Sequence, residues 1–204
     1  MKKTVPMAEP EALNEDNAVV RASQGDSDAF SLLYELNVNR IYNYVFYRVG
    51  SEADAEDITS RVFYRAFGHI SNYVEKGVPF SAWLYRIAHN LIANWHRDNF
   101  RRNEVSLDER VDLPQRIEPP ERSLEQTQEI EMLLRGIRAL SDDRQQLLVL
   151  KFTEHLSNAE IAMIMKRSEG AIKSLYHRSL VALKEEMVKI GFEEVVDEGS
   201  QVGK

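Results

Sequence analysis

Five polar side chains near the carboxyl end of the chain have the types and spacing needed to bind nucleic acid. They are Ser168, Lys173, Ser174, His177 and Arg178. Lysine and arginine donate hydrogen bonds to guanine or to phosphate, and serine and histidine can donate or accept. A helix starting near Glu169 would carry the last four on its early exposed turns. The N-terminal part of such a helix is the part that reads base edges in a major groove.

A second set of polar side chains recurs at helical spacing in the first half of the chain. Arginines alternate with amides along one helix face, at Arg86, Asn90, Asn94, Arg97 and Arg101. Such a stripe can hold a phosphate backbone and sample bases, although an ordinary solvated helix face has the same pattern. Tyr73 precedes this helix in a loop, where its ring could stack on an unpaired base.

Residues that would indicate catalysis or metal binding do not form a pattern. His89 and His96 are seven residues apart and have no carboxylate at ligand spacing. There is no phosphate-cradling glycine loop and no nucleophile elbow. Three acids, Asp54, Glu56 and Asp57, open a helix, where they favour the positive end of its dipole. We therefore expect no catalytic residue, no metal and no cofactor, although an all-α enzyme is kept as a remote alternative.

Helical periodicity dominates the elements that must position these groups. The apolar spacing predicts helices over Asp28–Arg48, Glu52–Phe67 and Phe80–Arg97, with a loop over Ser71–Pro79. In the first helix the inner face comprises Phe30, Leu33, Tyr34, Ile41, Tyr44 and Val45, and in the third Trp83 and Trp95 are expected in the core. A further helix ends near Ala139, and Ser141 caps the next.

The segment Leu156–Met187 has the features of a helix-turn-helix. Ser157-Asn158-Ala159-Glu160 fits a capping box, which starts a short helix ending at Met165. A turn over Lys166–Ser168 follows, and the second helix runs from Glu169 to about Met187. Pattern alone also allows a plain helical hairpin with a basic face.

Composition divides the chain and limits its class. The 204 residues include no cysteine, and the net charge is −7. Much of the acid lies in residues 103–128, where seven acidic residues face three arginines. With Pro114, Pro119 and Pro120, this stretch predicts an extended linker between two helical domains. The N-terminus lacks the apolar core of a signal peptide, and no stretch is long enough to cross a bilayer, so we expect a soluble, cytoplasmic protein.

The order of these features resembles the extracytoplasmic-function (ECF) sigma factors of the sigma-70 family. The matching runs are Asp54-Ala55-Glu56-Asp57-Ile58-Thr59 and Phe80-Ser81-Ala82-Trp83-Leu84-Tyr85-Arg86-Ile87-Ala88-His89-Asn90, then Leu156–Ala162 and Gly170–Arg178. The resemblance implies an all-α fold of two small helical domains joined by an extended acidic linker. Its divisions are an N-terminal extension (1–25), region 2 (26–102), the linker (103–128), region 4 with the helix-turn-helix (129–190) and an acidic tail (191–204).

The resemblance also implies partners and roles. Core RNA polymerase would bind Asp54, Glu56, Asp57, Ile58, Phe63 and Phe67. The −10 strand would contact Tyr73, Arg86, Asn90, Asn94, Arg97 and Arg101, with a flipped base in the loop 71–78. The −35 duplex would contact Ser168, Lys173, Ser174, His177 and Arg178. An anti-sigma factor is an expected partner, and the nucleoid the expected site of action.

The chain departs from the family pattern at five positions, one of which is Tyr176, where leucine is common. Glycine is common in the family where this chain has His155 and Lys166, so we expect a less tight turn. Arginine is common where Leu175 and Leu180 stand, which removes two phosphate contacts. The alternative function is a free-standing helix-turn-helix regulator, in which the Arg86–Arg97 face would not contact DNA.

Overall fold

The computed structural model describes residues 15–73, 79–105 and 124–191, and the side chains within these ranges except those of 101–105 and 124–128. The described residues form helices and connecting turns without a strand, which confirms the all-α prediction. The helices are α1 (Glu15–Ser23), α2 (Ser27–Val49), α3 (Glu52–His69), α4 (Phe80–Val105), α5 (Leu124–Arg138), α6 (Asp142–Phe152), α7 (Asn158–Met165) and α8 (Glu169–Lys189). A 3-10 turn, Ile70–Asn72, follows α3.

Local capping sets the boundaries of the long helices in the first half of the chain. The Asp26 carboxylate accepts hydrogen bonds from the amides of Asp28 and Ala29, each at 3.0 Å, and so begins α2. Gly50 ends α2 in the left-handed conformation, with φ of 77°. The Ser51 hydroxyl then accepts from the amide of Asp54 at 3.3 Å and begins α3.

Helices α1 to α4 pack around one apolar core, to which Leu33, Ile41, Ile58, Leu84 and Leu91 contribute fully buried side chains. Four predicted core residues of α2 are buried, namely Leu33, Ile41, Tyr44 and Val45. Phe30 is half-buried. The prediction for Tyr34 was wrong: its side chain is 43% exposed, and its ring packs edge-on against Phe63 at 4.7 Å between centroids.

The first half of the chain differs from the predictions in two further ways. Part of the predicted N-terminal extension is helix α1, which inserts Ala18, Val19 and Ala22 into the core. A nine-residue helix gave too little periodicity to be recognised. Trp83 and Trp95 are only half-buried, although both pack against the core.

The second half, α5 to α8, contains the predicted helix-turn-helix. The capping box is confirmed: the Ser157 amide donates to Glu160 Oε2 at 2.7 Å, and the Glu160 amide donates to Ser157 Oγ at 3.2 Å. Gly136 lets α5 approach α8, since a Cβ there would lie 2.7 Å from Met187 Sδ. Ser141 precedes α6 but its side chain makes no capping hydrogen bond, contrary to the prediction.

The predicted linker 103–128 is shorter at both ends in the structure. Helix α4 extends into it as far as Val105, and α5 begins within it at Leu124. Residues 106–123, the loop residues 74–78, residues 1–14 and the acidic tail beyond Gly191 lie outside the described residues. In the part of the chain that is described, no helix is both long and apolar enough to span a membrane.

Candidate nucleic-acid interface

The turn between α7 and α8 fixes the direction of the exposed polar face. Lys166 ends α7 in the left-handed conformation, with φ of 53° and ψ of 46°. The Ser168 hydroxyl accepts from the amide of Ala171 at 3.2 Å and begins α8. His155, in the turn before α7, also has φ of 53°. Both positions therefore adopt the conformation that glycine would favour, so the prediction of a less tight turn was wrong.

Helix α8 presents the predicted residues to solvent. Lys173, Ser174, His177 and Arg178 are all exposed, and so is Ser168. Ile172, Leu175 and Leu183 are buried, and Leu180 is half-buried. Leu175 belongs to the core of the second half, so its side chain packs and does not face a ligand. The geometry brings four donors and acceptors together on one rigid face.

One cationic residue beside this face was missed by the sequence analysis. A shallow cavity of about 330 Å³ is lined by Arg144, His177, Arg178, Val181, Ala182 and Glu185. Arg144 belongs to the first turns of α6, so its approach to α8 depends on helix packing. No sequence spacing indicated it.

Helix α4 places the second polar face less uniformly. Asn90 and Arg97 are exposed and Asn94 is half-buried, with Arg97 donating to the Asn94 amide oxygen. Arg86 is half-buried and donates through Nε to the carbonyl of Ile164 at 3.2 Å and through Nη2 to the carbonyl of Met163. The side chain of Arg101 is not among those that the structure describes.

Tyr73 is half-buried in an aromatic cluster at the start of α4. Its ring lies 5.7 Å from that of Phe80 and 5.0 Å from that of Trp83, measured between centroids. The loop proposed to receive a flipped base lies mostly in residues 74–78, outside the described residues.

The face of α3 combines acids with exposed aromatic rings. Glu56 and Asp57 are exposed, Asp54 is half-buried, and Phe67 is 57% exposed. Tyr64, which was not among the predicted site residues, is 81% exposed. Ile58 and Phe63 are buried in the core, where they support the helix and do not form its surface.

Charged contacts join the two halves of the molecule, and sequence spacing gave no sign of them. Arg48 has no exposed side-chain surface; it donates to Tyr44 Oη at 2.8 Å and ion-pairs with Asp142. Glu154 accepts from Arg40 Nε at 2.9 Å and from Tyr85 Oη at 2.7 Å. The two halves are thus held through side chains that are charged or strongly polar.

The pKa of His89 is lowered because its ring lies between Arg48 of α2 and the acids that begin α6. Burial and the neighbouring Arg48 guanidinium lower the pKa of His89 to about 4, although Asp143 acts in the opposite direction. The neutral ring accepts from Arg48 Nη1 at Nδ1, at 3.2 Å, and Nε2 faces Asp142 Oδ2 at 3.4 Å. No cluster of possible metal ligands occurs among the residues that the structure describes.

An exposed helix-turn-helix and a second polar helix face define a nucleic-acid-binding class of helical protein. Family comparison gives the class its name: residues 33–102 match Sigma-70 region 2, and residues 130–183 match Sigma-70 region 4. The chain is 37% identical to the ECF RNA polymerase sigma factor BldN of Streptomyces coelicolor over 178 residues, which cover 87% of this chain and 67% of that protein. The chain belongs to the sigma-70 family, in the ECF group of RNA polymerase sigma factors.

One further relative agrees in sequence, and two solved structures share the fold. The ECF sigma factor SigW of Bacillus subtilis is 29% identical over 177 residues, covering 83% of this chain and 94% of that protein. CnrH, solved with the cytosolic domain of CnrY, shares the fold at 16% identity and a TM-score of 0.64, over 88% of this chain and 99% of CnrH. RpoE of Bartonella quintana, solved with the anti-sigma factor NepR, shares it at 20% identity and the same TM-score, over 80% of this chain and 98% of RpoE.

Proposed function

We propose that this chain binds core RNA polymerase and reads promoters at two points, with the exposed face of α8 on the −35 duplex and the face of α4 on the −10 strand. The main support for the proposal is that the matches to Sigma-70 region 2 and region 4 occur in this order along the chain, and that each region presents one polar helix face, on α4 and α8 respectively. Lys173 and Arg178 supply donors for bases and phosphates, and Ser174 and His177 supply donors or acceptors. Asn90, Asn94 and Arg97 supply the equivalent groups for a single strand.

The face of α3 is the proposed polymerase-binding surface. Exposed aromatic rings flanked by carboxylates give apolar contact area together with charge, a composition that favours a protein partner over DNA. Tyr64 therefore joins Asp54, Glu56, Asp57 and Phe67 as a proposed contact. Ile58 and Phe63 keep a supporting role, since they hold the helix on the core.

The remaining parts of the proposal follow from the family. The factor would act without catalysing a reaction itself and without a cofactor, since polymerase supplies the chemistry. An anti-sigma factor is a proposed partner, as in the RpoE–NepR structure. The acidic linker, residues 103–128, would thread near the polymerase active site and the RNA exit path. We place its action at the nucleoid, in the cytoplasm.

Reconstitution with core polymerase tests the main proposal. Purified chain should co-elute with bacterial core RNA polymerase and support run-off transcription from a subset of genomic fragments. Failure to co-elute would contradict it. Because phosphate contacts release counterions, about six of them would weaken holoenzyme–promoter binding by ~10³ between low and moderate salt.

One variant distinguishes the alternative of a free-standing regulator. Arg97→Glu should abolish promoter opening if α4 holds the −10 strand, whereas a regulator that uses only α8 would keep full DNA binding. Lys189→Glu makes the same charge change on an exposed residue in the last turn of α8 and should leave opening intact.

A further inference from the structure

The shallow cavity of about 330 Å³ beside the exposed face of α8 lies between two helices, and we call it the α6–α8 cavity. Helix α6 contributes Arg144, and α8 contributes His177, Arg178, Val181, Ala182 and Glu185. Two guanidinium groups and an imidazole thus line the same opening. Such a concentration of donors suits an anion more than an apolar ligand.

Both arginines of the α6–α8 cavity have donors to offer. Arg178 is exposed and Arg144 is half-buried. Arg178 donates through Nε to the Ser174 carbonyl at 3.3 Å, which leaves its two terminal nitrogens for another acceptor. Among the residues that the structure describes, no carboxylate pairs with either guanidinium. The positive charge of the two side chains is therefore not balanced by a neighbouring ion pair.

The acid of the cavity, Glu185, lies further from the N-terminal turns of α8 than Arg178 does. Seven residues separate the two, which places them about 10 Å apart along the helix axis. In the proposed function the N-terminal turns of α8 meet the duplex. The arginine end of the cavity is therefore nearer to DNA, and the carboxylate is further away.

The width of a major groove decides what Arg144 would meet there. A helix with its side chains is about 10–12 Å across and the groove is about 12 Å wide, so α8 alone fills the groove. A side chain from a flanking helix is then held away from the base edges and meets the phosphates at the edge of the groove. Lys173 and Arg178 are about 140° apart around α8 and so point towards opposite edges. Arg144 shares the cavity with Arg178, so it lies on the Arg178 side.

We propose that the α6–α8 cavity binds a DNA backbone phosphate at one edge of the −35 major groove, with Arg144 contributed from outside the helix-turn-helix and Arg178 beside it. The inference rests on the proposed function, in which α8 reads the −35 duplex. A phosphate contact carries no sequence information, but it fixes the register and orientation of α8 in the groove. Arg144 therefore strengthens binding to different promoters by a similar factor.

Four variants separate the charge of the cavity from charge elsewhere. Arg144→Gln removes the guanidinium, and Arg144→Lys keeps a positive charge without the planar fork. Arg135 is exposed in the last turn of α5 and does not line the cavity, so Arg135→Gln is the matched control in the same half of the chain. Glu185→Gln removes the carboxylate that lines the cavity and should act in the opposite direction to Arg144→Gln.

The experiment measures promoter binding by holoenzyme, assembled from the full-length chain and core RNA polymerase, on a fragment selected by run-off transcription. Arg144→Gln should weaken binding by about tenfold at low salt, because a charge-assisted hydrogen bond is lost. This loss should shrink by about threefold between about 50 and about 200 mM salt, since one counterion fewer is released. Arg144→Lys should keep the parent's salt dependence, Arg135→Gln should match the parent, and Glu185→Gln should bind more tightly.

Neutral methylphosphonate linkages, placed one at a time along the −35 element of a synthetic duplex, locate the phosphate. One linkage should weaken binding by the parent holoenzyme but leave the affinity of Arg144→Gln unchanged, whereas other contacted linkages should weaken both. A loss in Arg144→Gln that depends on the −35 base sequence, or that no single linkage abolishes, would overturn the phosphate contact. Equal binding by Arg144→Gln and the parent at every salt concentration would overturn it as well.

Arg178→Ala, measured in the same way, separates this inference from the proposed function. Weakened binding by Arg178→Ala together with unchanged binding by Arg144→Gln would overturn the phosphate site in the cavity and leave −35 reading by α8 intact. If the parent holoenzyme binds no promoter fragment, the proposed function itself is wrong, and the inference falls with it.

Discussion

Tyr85 Oη donates to Glu154 Oε2 at 2.7 Å, although the two residues lie 69 positions apart in the sequence. Burial and the Glu154 carboxylate raise the pKa of Tyr85, so its hydroxyl remains a donor throughout the range in which proteins are stable. This one bond ties the helix that carries the proposed −10 surface to the turn that precedes the helix-turn-helix.

Removing that hydroxyl should destabilise the protein. We expect Tyr85→Phe to lower the free energy of unfolding by about 1–2 kcal/mol, because a partly buried carboxylate loses a hydrogen bond. Urea unfolding followed by tryptophan fluorescence measures it, since Trp83 and Trp95 both lie on α4. Tyr64→Phe, at an 81% exposed position, should change stability by less than about 0.5 kcal/mol. Equal effects of the two variants would contradict the role of the Tyr85 bond.

Gly50 offers a test of close packing between α2 and α5. Its φ of 77° disfavours a side chain, and a Cβ there would lie 2.8 Å from Arg138 Cζ. Gly25 has φ of 96° with nothing within 4 Å of such a Cβ, so it carries the backbone cost alone. We expect Gly25→Ala to cost about 1–2 kcal/mol in thermal or urea unfolding.

Gly50→Ala should cost measurably more than Gly25→Ala, because Arg138 must also move and give up its hydrogen bond to the Tyr47 carbonyl at 3.1 Å. Combining Gly50→Ala with Arg138→Ala separates the two costs. If Gly50→Ala and Gly25→Ala lower the free energy of unfolding by the same amount, Arg138 does not pack against Gly50 in solution.

Replacing Lys166 with glycine should make the protein more stable. A lysine at φ of 53° is strained, because its Cβ disfavours the left-handed backbone conformation. Glycine removes this strain but loses more backbone entropy on folding. We expect Lys166→Gly to raise the melting temperature, equivalent to a gain of about 0.5–1 kcal/mol. Lys166→Ala removes the same charge but keeps the strain, and should give no gain. A gain of the same size in both would assign the effect to the charge.

His89 should make stability sensitive to mild acid. Its pKa is lowered to about 4 in the folded chain from an ordinary value of 6.5. The neutral ring therefore contributes stability fully above pH 6.5, and that contribution is lost as the pH falls from 6.5 towards 4. Arg48 faces the ring from α2, and Asp142 and Asp143 face it from α6.

Unfolding at about pH 7 and about pH 5 measures this dependence. His89→Gln, which cannot gain a proton, should lose less stability across the interval than the parent chain. An identical loss in both proteins would show that His89 does not titrate as stated.

Arg178 should contribute affinity and salt dependence to −35 binding. Its side chain is exposed and its Nε reaches the carbonyl of Ser174 at 3.3 Å, so it is available to a phosphate or a guanine. For a phosphate contact, Arg178→Ala should weaken promoter binding by holoenzyme uniformly and reduce the salt slope by about 1. A loss restricted to certain sequences would indicate a base contact.

Local sequence pattern was enough to predict the helical class and most of the helix boundaries. The capping box at Ser157 and Glu160 is built from neighbouring residues, so its spacing sufficed to predict α7. The outward face of Lys173 and Arg178 followed because helical period places apolar and polar residues on opposite sides. The family also followed from the sequence, since two motifs occur in order along it.

Tertiary packing alone decided what happens between the helices. Arg48 and Glu154 are charged, and their types predict exposure, yet the side chain of each is buried, and each has an oppositely charged partner from the other half of the molecule. Arg86 and Arg97 were predicted on the same face of α4. Of these two residues, Arg86 donates to carbonyls at the end of α7. Helical period specifies a face, whereas the partner of that face depends on contacts between residues far apart in the chain.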